Sequence, residues 1–220
     1  LAVFFCYNQV VKLKLILIDR FACGISGFFP KMNNTVKNIL IFVVEVTKIV
    51  VLAFAIVVPI RYYLFQPFVI EGSSMEPNFH QADYVIVDEF SYRFKAPERG
   101  DVIVFKYPLD TSKRFIKRII GLPGETVETK DGTVSIFNKD GQKLTLNEST
   151  YLTSDLKVPD MSPLTLKDGQ YFVLGDNRPY SYDSQDWGEL SSNDIIGKVA
   201  FRLWPFNAID KISSPTYPAN

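Results

Sequence analysis

Residues Arg114–Glu125 read RFIKRIIGLPGE. In an extended strand successive side chains face opposite ways, so Phe115, Lys117 and Ile119 share one face while Arg114, Ile116, Arg118 and Ile120 share the other. A lysine between two large apolar neighbours is either buried with a purpose or snorkelling to an edge. Runs of the same kind recur outward from this one: FVIEG from Phe68, DYVIVDEF from Asp83, DVIVFKY from Asp101, TVSIF from Thr133, KLTL from Lys143, YFVLGD from Tyr171 and IIGKVAFRLW from Ile195. Turn residues separate them, and Asp131-Gly132 and Asp140-Gly141 predict two-residue hairpins. The pattern predicts a mostly β, antiparallel domain over 63–220. Residues 150–168, with Pro159, Pro163 and several Ser and Thr, read as a loop.

Before that domain, Ile39–Ile60 reads ILIFVVEVTKIVVLAFAIVVPI. As a helix it would extend ~33 Å, enough for a hydrocarbon core of ~30 Å. One transmembrane helix is therefore predicted, with the anchor drawn at 38–62. Glu45 and Lys48 are costly near a bilayer centre, but their spacing lets them pair and snorkel towards the interface. Lys31 and Lys37 precede the span, and after Arg61 no Lys or Arg occurs until Arg93, which puts the N-terminus in the cytoplasm and the β domain outside. Large residues, Arg61 to Phe65, follow the run where a cleaved signal peptide needs small ones, so the anchor is expected to stay attached. The segment 1–37 is assigned to the N-terminal side, and Met32 is expected to be the natural start.

Lys and Arg number 24, as do Asp and Glu, so nothing in the charge balance favours nucleic acid. The two cysteines, Cys6 and Cys23, leave the β domain without disulfides, and no His, Cys and carboxylate cluster has metal-ligand spacing. No cofactor is expected.

Two further stretches carry candidate chemistry. EGSSMEP (Glu71–Pro77) sets Ser73 and Ser74 side by side. The single histidine, His80, sits in a loop with no acid nearby to orient it, which is poor support for a Ser-His-Asp triad. A neutral lysine buried among apolar groups can replace histidine as base, and Lys117 is the candidate. GDNRPYSYDSQDWG (Gly175–Gly188) is either a turn held by side-chain hydrogen bonds or a functional loop in which Ser181 orients the lysine while Arg178 or Asp183 braces it.

Taken together, GSSMEP, GDVIVF (Gly100–Phe105), KRIIGLPGE (Lys117–Glu125) and GDNRPYSYDS, in order behind an anchor, resemble the motifs of bacterial type I signal peptidases, membrane-anchored serine proteases of the Ser-Lys class. The resemblance implies a β catalytic domain of the signal-peptidase type, single-pass in the bacterial cell membrane. Its substrates would be secretory preproteins, cut after small residues at the bilayer. It selects Ser74, not Ser73, as nucleophile and Lys117 as general base, with Ser181 orienting the lysine. It pairs Asp176 with Arg118, gives Arg178 and Asp183 supporting roles, and makes Asp101 fold-determining. The oxyanion hole would use the Ser74 N–H, and the position of a second, hydroxyl donor in some members is Gly72 here. Ile70, Met75, Phe115 and Ile116 match substrate-pocket residues, and Phe79 with the aromatics of RYYLFQPF is expected to face lipid. Tyr180 and Gln185 stand where Asn and Arg are usual. The rival readings are a self-cleaving Ser-Lys protease of the SOS-repressor type, for which a basic helix-turn-helix would be expected in place of the anchor, and an inactive membrane-tethered peptide-binding relative.

Overall fold

The computed structural model describes residues 33–63 and 65–217. The expected start at Met32 and both cysteines lie outside the described residues. Two compact units divide near Val58.

The first unit is built on α1 (Asn34–Tyr63), 30 residues long and longer than the 38–62 read from hydropathy. Its Asn34–Val58 stretch has a mean hydropathy of 2.7 and is long and apolar enough to cross a membrane. Apart from the half-buried Val44, the large apolar side chains described along it, Ile39 to Val58, are exposed. Thr47 Oγ1 donates to the Val43 carbonyl at 2.8 Å, so this polar side chain is satisfied within the helix.

The second unit is all antiparallel sheet apart from short helical turns. Its strands are β1 (Phe65–Val69), β2 (Tyr84–Asp88), β3 (Val102–Tyr107), β4 (Asp110–Gly121), β5 (Thr126–Lys130), β6 (Thr133–Phe137), β7 (Lys143–Thr145), β8 (Met161–Thr165), β9 (Gln170–Leu174), β10 (Leu190–Ser191), β11 (Ile195–Trp204) and β12 (Asp210–Lys211). The larger sheet runs β1-β2-β11-β3-β4-β9-β10, with β12 on β11, and the smaller runs β7-β6-β5-β8.

Apolar residues on both faces of β3 and β4 let the larger sheet bury both sides. Val102, Val104 and Ile116 join Ile70, Met75, Phe79, Val85, Val87 and Val199 on one side. Ile103, Phe105 and Ile119 join Tyr171, Val173 and Leu190 on the other. Ile120, Phe172 and Leu174 pack against Val127, Val134, Ile136 and Leu166 of the smaller sheet. Each such fully buried side chain stabilises the fold by about 1.5–3 kcal/mol, and together these apolar groups hold the two sheets as one core.

Asp131 (φ +53°) and Gly132 (φ +75°) form the tight turn between β5 and β6, as their sequence predicts. Asp140-Gly141 differs. Asn138 pairs with Gln142 through its N–H to the Gln142 carbonyl, and Asn138 Oδ1 accepts from the Asp140 and Gln142 N–H groups. The loop therefore holds three residues, with Gly141 at φ +77°. The expected loop over 150–168 contains β8, which pairs with β5. Pro163 is tolerated there because β8 is an edge strand, where a missing N–H costs no ladder bond.

Candidate active site

β4 carries Lys117 into the interior. Its side chain is 4% exposed, and the Nζ lies 2.5 Å from Ser74 Oγ, 43 residues earlier in the chain. The Phe115 ring centroid is 5.8 Å from the same Nζ. Burial disfavours the ammonium form and lowers the lysine pKa from 10.5 to about 8, although Asp183 and Asp176 pull the other way. At a pH near 8 a substantial share of Lys117 is thus a neutral amine able to accept the proton of the Ser74 hydroxyl.

Ser74 is held by the turn that follows β1. The Ser73 carbonyl accepts from the Glu76 N–H at 3.1 Å, and the Met75 carbonyl from the Phe79 N–H at 2.9 Å. The Gly175–Gly188 segment fastens this turn from the other side: the Asn177 N–H donates to the Ser74 carbonyl at 3.0 Å, and Asn177 Nδ2 to the Ser73 carbonyl at 3.1 Å. Gly72 is exposed, has φ +85°, and a Cβ there would touch nothing within 4 Å. Among the described residues the Ser74 N–H has no acceptor.

The supporting charges are paired. Arg118, next to the lysine but on the opposite strand face, binds Asp176 through Nε at 2.8 Å and Nη2 at 2.6 Å, while Nη1 donates to the Gly100 carbonyl at 3.0 Å. Asn78 Nδ2 donates to the same Asp176 at 2.8 Å. Asp183 caps α2 (Ser184–Trp187) by accepting from the Gln185 N–H, and it also accepts from the Gly175 N–H at 2.9 Å. Burial raises the Asp183 pKa, with the Gly175 N–H opposing that rise. Gln185 sends its Nε2 towards Asp183 Oδ1 at 3.4 Å, a long contact without the charge an arginine would bring. Asp101 accepts from Lys198 Nζ at 2.6 Å and Tyr92 Oη at 2.8 Å, and also binds the Ser214 hydroxyl, tying β3, β11 and the C-terminal segment together.

A cavity of about 700 Å³ opens over the pair. Phe68, Val69, Glu71–Ser74, Ser112–Lys117, Tyr180 and Tyr182 line it. Phe115 and Ile116 are therefore in the wall of this cavity. Ile70 and Met75 are not: each is 1% exposed and turned into the core below. Tyr180 and Tyr182 also belong to the wall, which no local pattern of residues marks. Tyr182 is steadied there by a 3.0 Å hydrogen bond to Tyr107 across the sheet.

Ser181 stands beside the pair but makes no hydrogen bond to Lys117. Among the described residues its buried Oγ has no hydrogen-bond partner, and it packs against Gly175, where even a Cβ would lie 2.1 Å away. His80 is exposed in its loop. Phe79 is 2% exposed, with the Arg202 guanidinium 5.7 Å from its ring, so Phe79 itself is turned inward and not outward as expected. The exposed large apolar residues of this unit include Leu203, Trp204, Phe206 and Ile209 instead.

A hydroxyl facing a buried amine, in an open cavity on a β scaffold, can supply a nucleophile and its base, which is the equipment of a serine hydrolase. Known proteins narrow that class. The family described as signal peptidase, peptidase S26, matches residues 43–204. Signal peptidase I of Leptolyngbya laminosa is 38% identical over 181 residues, covering 78% of this chain and 84% of its own length. Signal peptidase I of Bacillus amyloliquefaciens is 37% identical over 171 residues, covering 73% and 84%. A solved signal peptidase I from Enterococcus faecalis V583, 35% identical, spans 48% of this chain and 97% of its own with a TM-score of 0.40. The chain belongs to the signal peptidase family, peptidase S26, as a serine endopeptidase of the signal peptidase I type.

Proposed function

We propose that this protein is anchored in the membrane by α1 and removes signal peptides from secretory preproteins by a Ser74–Lys117 mechanism. The observation that carries this reading is the 2.5 Å approach of Ser74 Oγ to a lysine 4% exposed in a family member. Neutral Lys117 takes the hydroxyl proton as Ser74 attacks the scissile carbonyl, and returns it to the leaving amine. The Ser74 N–H stabilises the oxyanion, and Gly72 contributes no side-chain donor. Ser181 supplies a buried hydroxyl beside Gly175 and the Ser74 carbonyl, and its part in the reaction is to steady the amine once substrate excludes water.

The substrate is bound extended. β1 is the terminal strand of the larger sheet, and the β9 register on β4 begins only at Arg118, so the Phe115–Lys117 stretch is left free on that side. Phe68 and Val69 on one lip and Phe115 and Ile116 on the other suit small side chains before the cut. The decisive measurement is cleavage of a preprotein by wild type and single variants in lipid vesicles. Ser74→Ala and Lys117→Ala each lower turnover by at least ~1000-fold, as loss of a nucleophile or its base does. Ser73→Ala and His80→Ala stay near wild type. Cleavage retained by Lys117→Ala sinks the mechanism.

A further inference from the structure

Arg178 is the most deeply placed cation near the site, with its side chain 1% exposed, yet among the described residues it forms no salt bridge with Asp176, Asp183 or Asp186 of its own loop. Glu148 grips it instead: Nη1 donates to Oε2 at 2.8 Å and Nη2 to Oε1 at 2.5 Å. Glu148 lies 30 residues earlier, in the connection from β7 to β8, and also accepts from Tyr151 Oη at 2.5 Å. The same connection reaches the nucleophile turn, because the Tyr151 carbonyl accepts from Asn78 Nδ2 at 2.8 Å.

The remaining Arg178 donor, Nε, holds the Gly175 carbonyl at 3.1 Å. Gly175 is the point where the two serines of the site meet. A Cβ added there would lie 2.1 Å from Ser181 Oγ and 2.4 Å from the Ser74 carbonyl. Its N–H is held by Asp183 and its carbonyl by Arg178, so both backbone groups are fixed from opposite sides. The two parallel hydrogen bonds of an Arg–carboxylate fork fix the guanidinium plane as well as its charge, which a single contact would not do.

We propose that Glu148 is a positioning residue for peptide cleavage: by holding Arg178 in one orientation it sets the Gly175 carbonyl, and through Gly175 the spacing of Ser74 and Ser181. This rests on the Ser74–Lys117 reading of the site. Small misplacements of a reacting group cost rate without weakening substrate binding.

The test uses the full chain in lipid vesicles with Glu148→Gln, Glu148→Asp, Arg178→Gln and the Glu148→Gln/Arg178→Gln double variant. Kinetics on a preprotein, thermal melting and amide hydrogen exchange are measured together. Glu148→Gln is expected to lower kcat by about 10–100-fold with KM within about twofold, and Glu148→Asp to regain part of the loss. The double variant should be no slower than Arg178→Gln alone, because Glu148 acts through Arg178. Exchange should quicken at the Gly175 and Asn177 amides while the core strands stay protected. Wild-type kcat in Glu148→Gln, losses that multiply in the double variant, or exchange loosened throughout the β unit would each overturn the proposal. Absence of preprotein cleavage by the wild type would refute the Ser-Lys reading, and the exchange at Gly175 would still decide whether Glu148 sets its position.

Discussion

At Lys117, function and stability pull in opposite directions. Burial lowers its pKa from 10.5 to about 8, so between those values the folded protein binds fewer protons than the unfolded chain and stability rises with pH. Below pH 8 the full penalty stands, about 3 kcal/mol at ~1.4 kcal/mol per tenfold change in proton affinity. Lys117→Met, similar in length and without charge, should therefore be inactive yet more stable at pH 7 by up to about 3 kcal/mol, with the gain shrinking towards pH 10. Denaturant melts of both proteins at several pH values measure this, and a less stable Lys117→Met at pH 7 contradicts it. Under the proposed mechanism the same pKa sets activity: kcat/KM should climb with pH and reach half its plateau at about 8, because only the neutral amine can accept the Ser74 proton. An acid optimum would exclude Lys117 as base.

Gly121, at the end of β4, shows at the level of elements how the two sheets are joined. Its backbone is ordinary, but a Cβ there would lie 2.5 Å from Val127 Cγ2, 2.8 Å from Leu166 Cδ1 and 2.9 Å from the Phe172 Cβ. Gly121→Ala should cost about 1–3 kcal/mol by overpacking, measured by thermal or denaturant melting. Gly141→Ala meets nothing within 4 Å and suffers only from its φ of +77°, so its cost should be smaller, about 1 kcal/mol. Equal stability of Gly121→Ala and wild type would mean that the junction is loose. Much of this layer was legible in the sequence. Strand alternation put Ile119 on the face opposite Ile116 and Ile120, and Ile119 does pack in a different core cluster from both, while Ile116 and Ile120 go on to fill separate clusters along their own face. What local pattern could not carry was contact across distance. Glu148 meets Arg178 across 30 residues and Lys198 meets Asp101 across 97, with nothing in either local stretch naming the other. Ile70 and Met75 look like pocket residues by position alone; the direction of the turn around Ser74 sends both into the core. Pro163 hides β8 because a proline argues against a strand until that strand is known to lie at an edge.

For the whole molecule, the proposed anchoring by α1 sets where the chemistry takes place. Its 30 residues extend ~45 Å, more than the ~30 Å hydrocarbon core, so the helix has length to spare and can shift along the bilayer normal to bring Glu45 and Lys48 nearer one interface. In the proposed orientation the N-terminal side is cytoplasmic, an expectation that rests on Lys31 and Lys37 before the span and on the absence of Lys and Arg from Tyr62 to Tyr92. In cells, the full chain should remain with membranes through an alkaline carbonate wash, whereas a chain starting after Tyr63 should be released. Protease added to the outer face of intact cells stripped of their wall should digest the β unit, and inside-out vesicles should protect it. Substituting Lys31 and Lys37 with Gln while adding two lysines after Arg61 should invert part of the population, because the bias of basic residues around the span sets orientation. Release of the full chain by carbonate would remove the anchor from the reading. Protection of the β unit in intact cells would place Ser74 on the cytoplasmic side, away from the face where exported preproteins emerge.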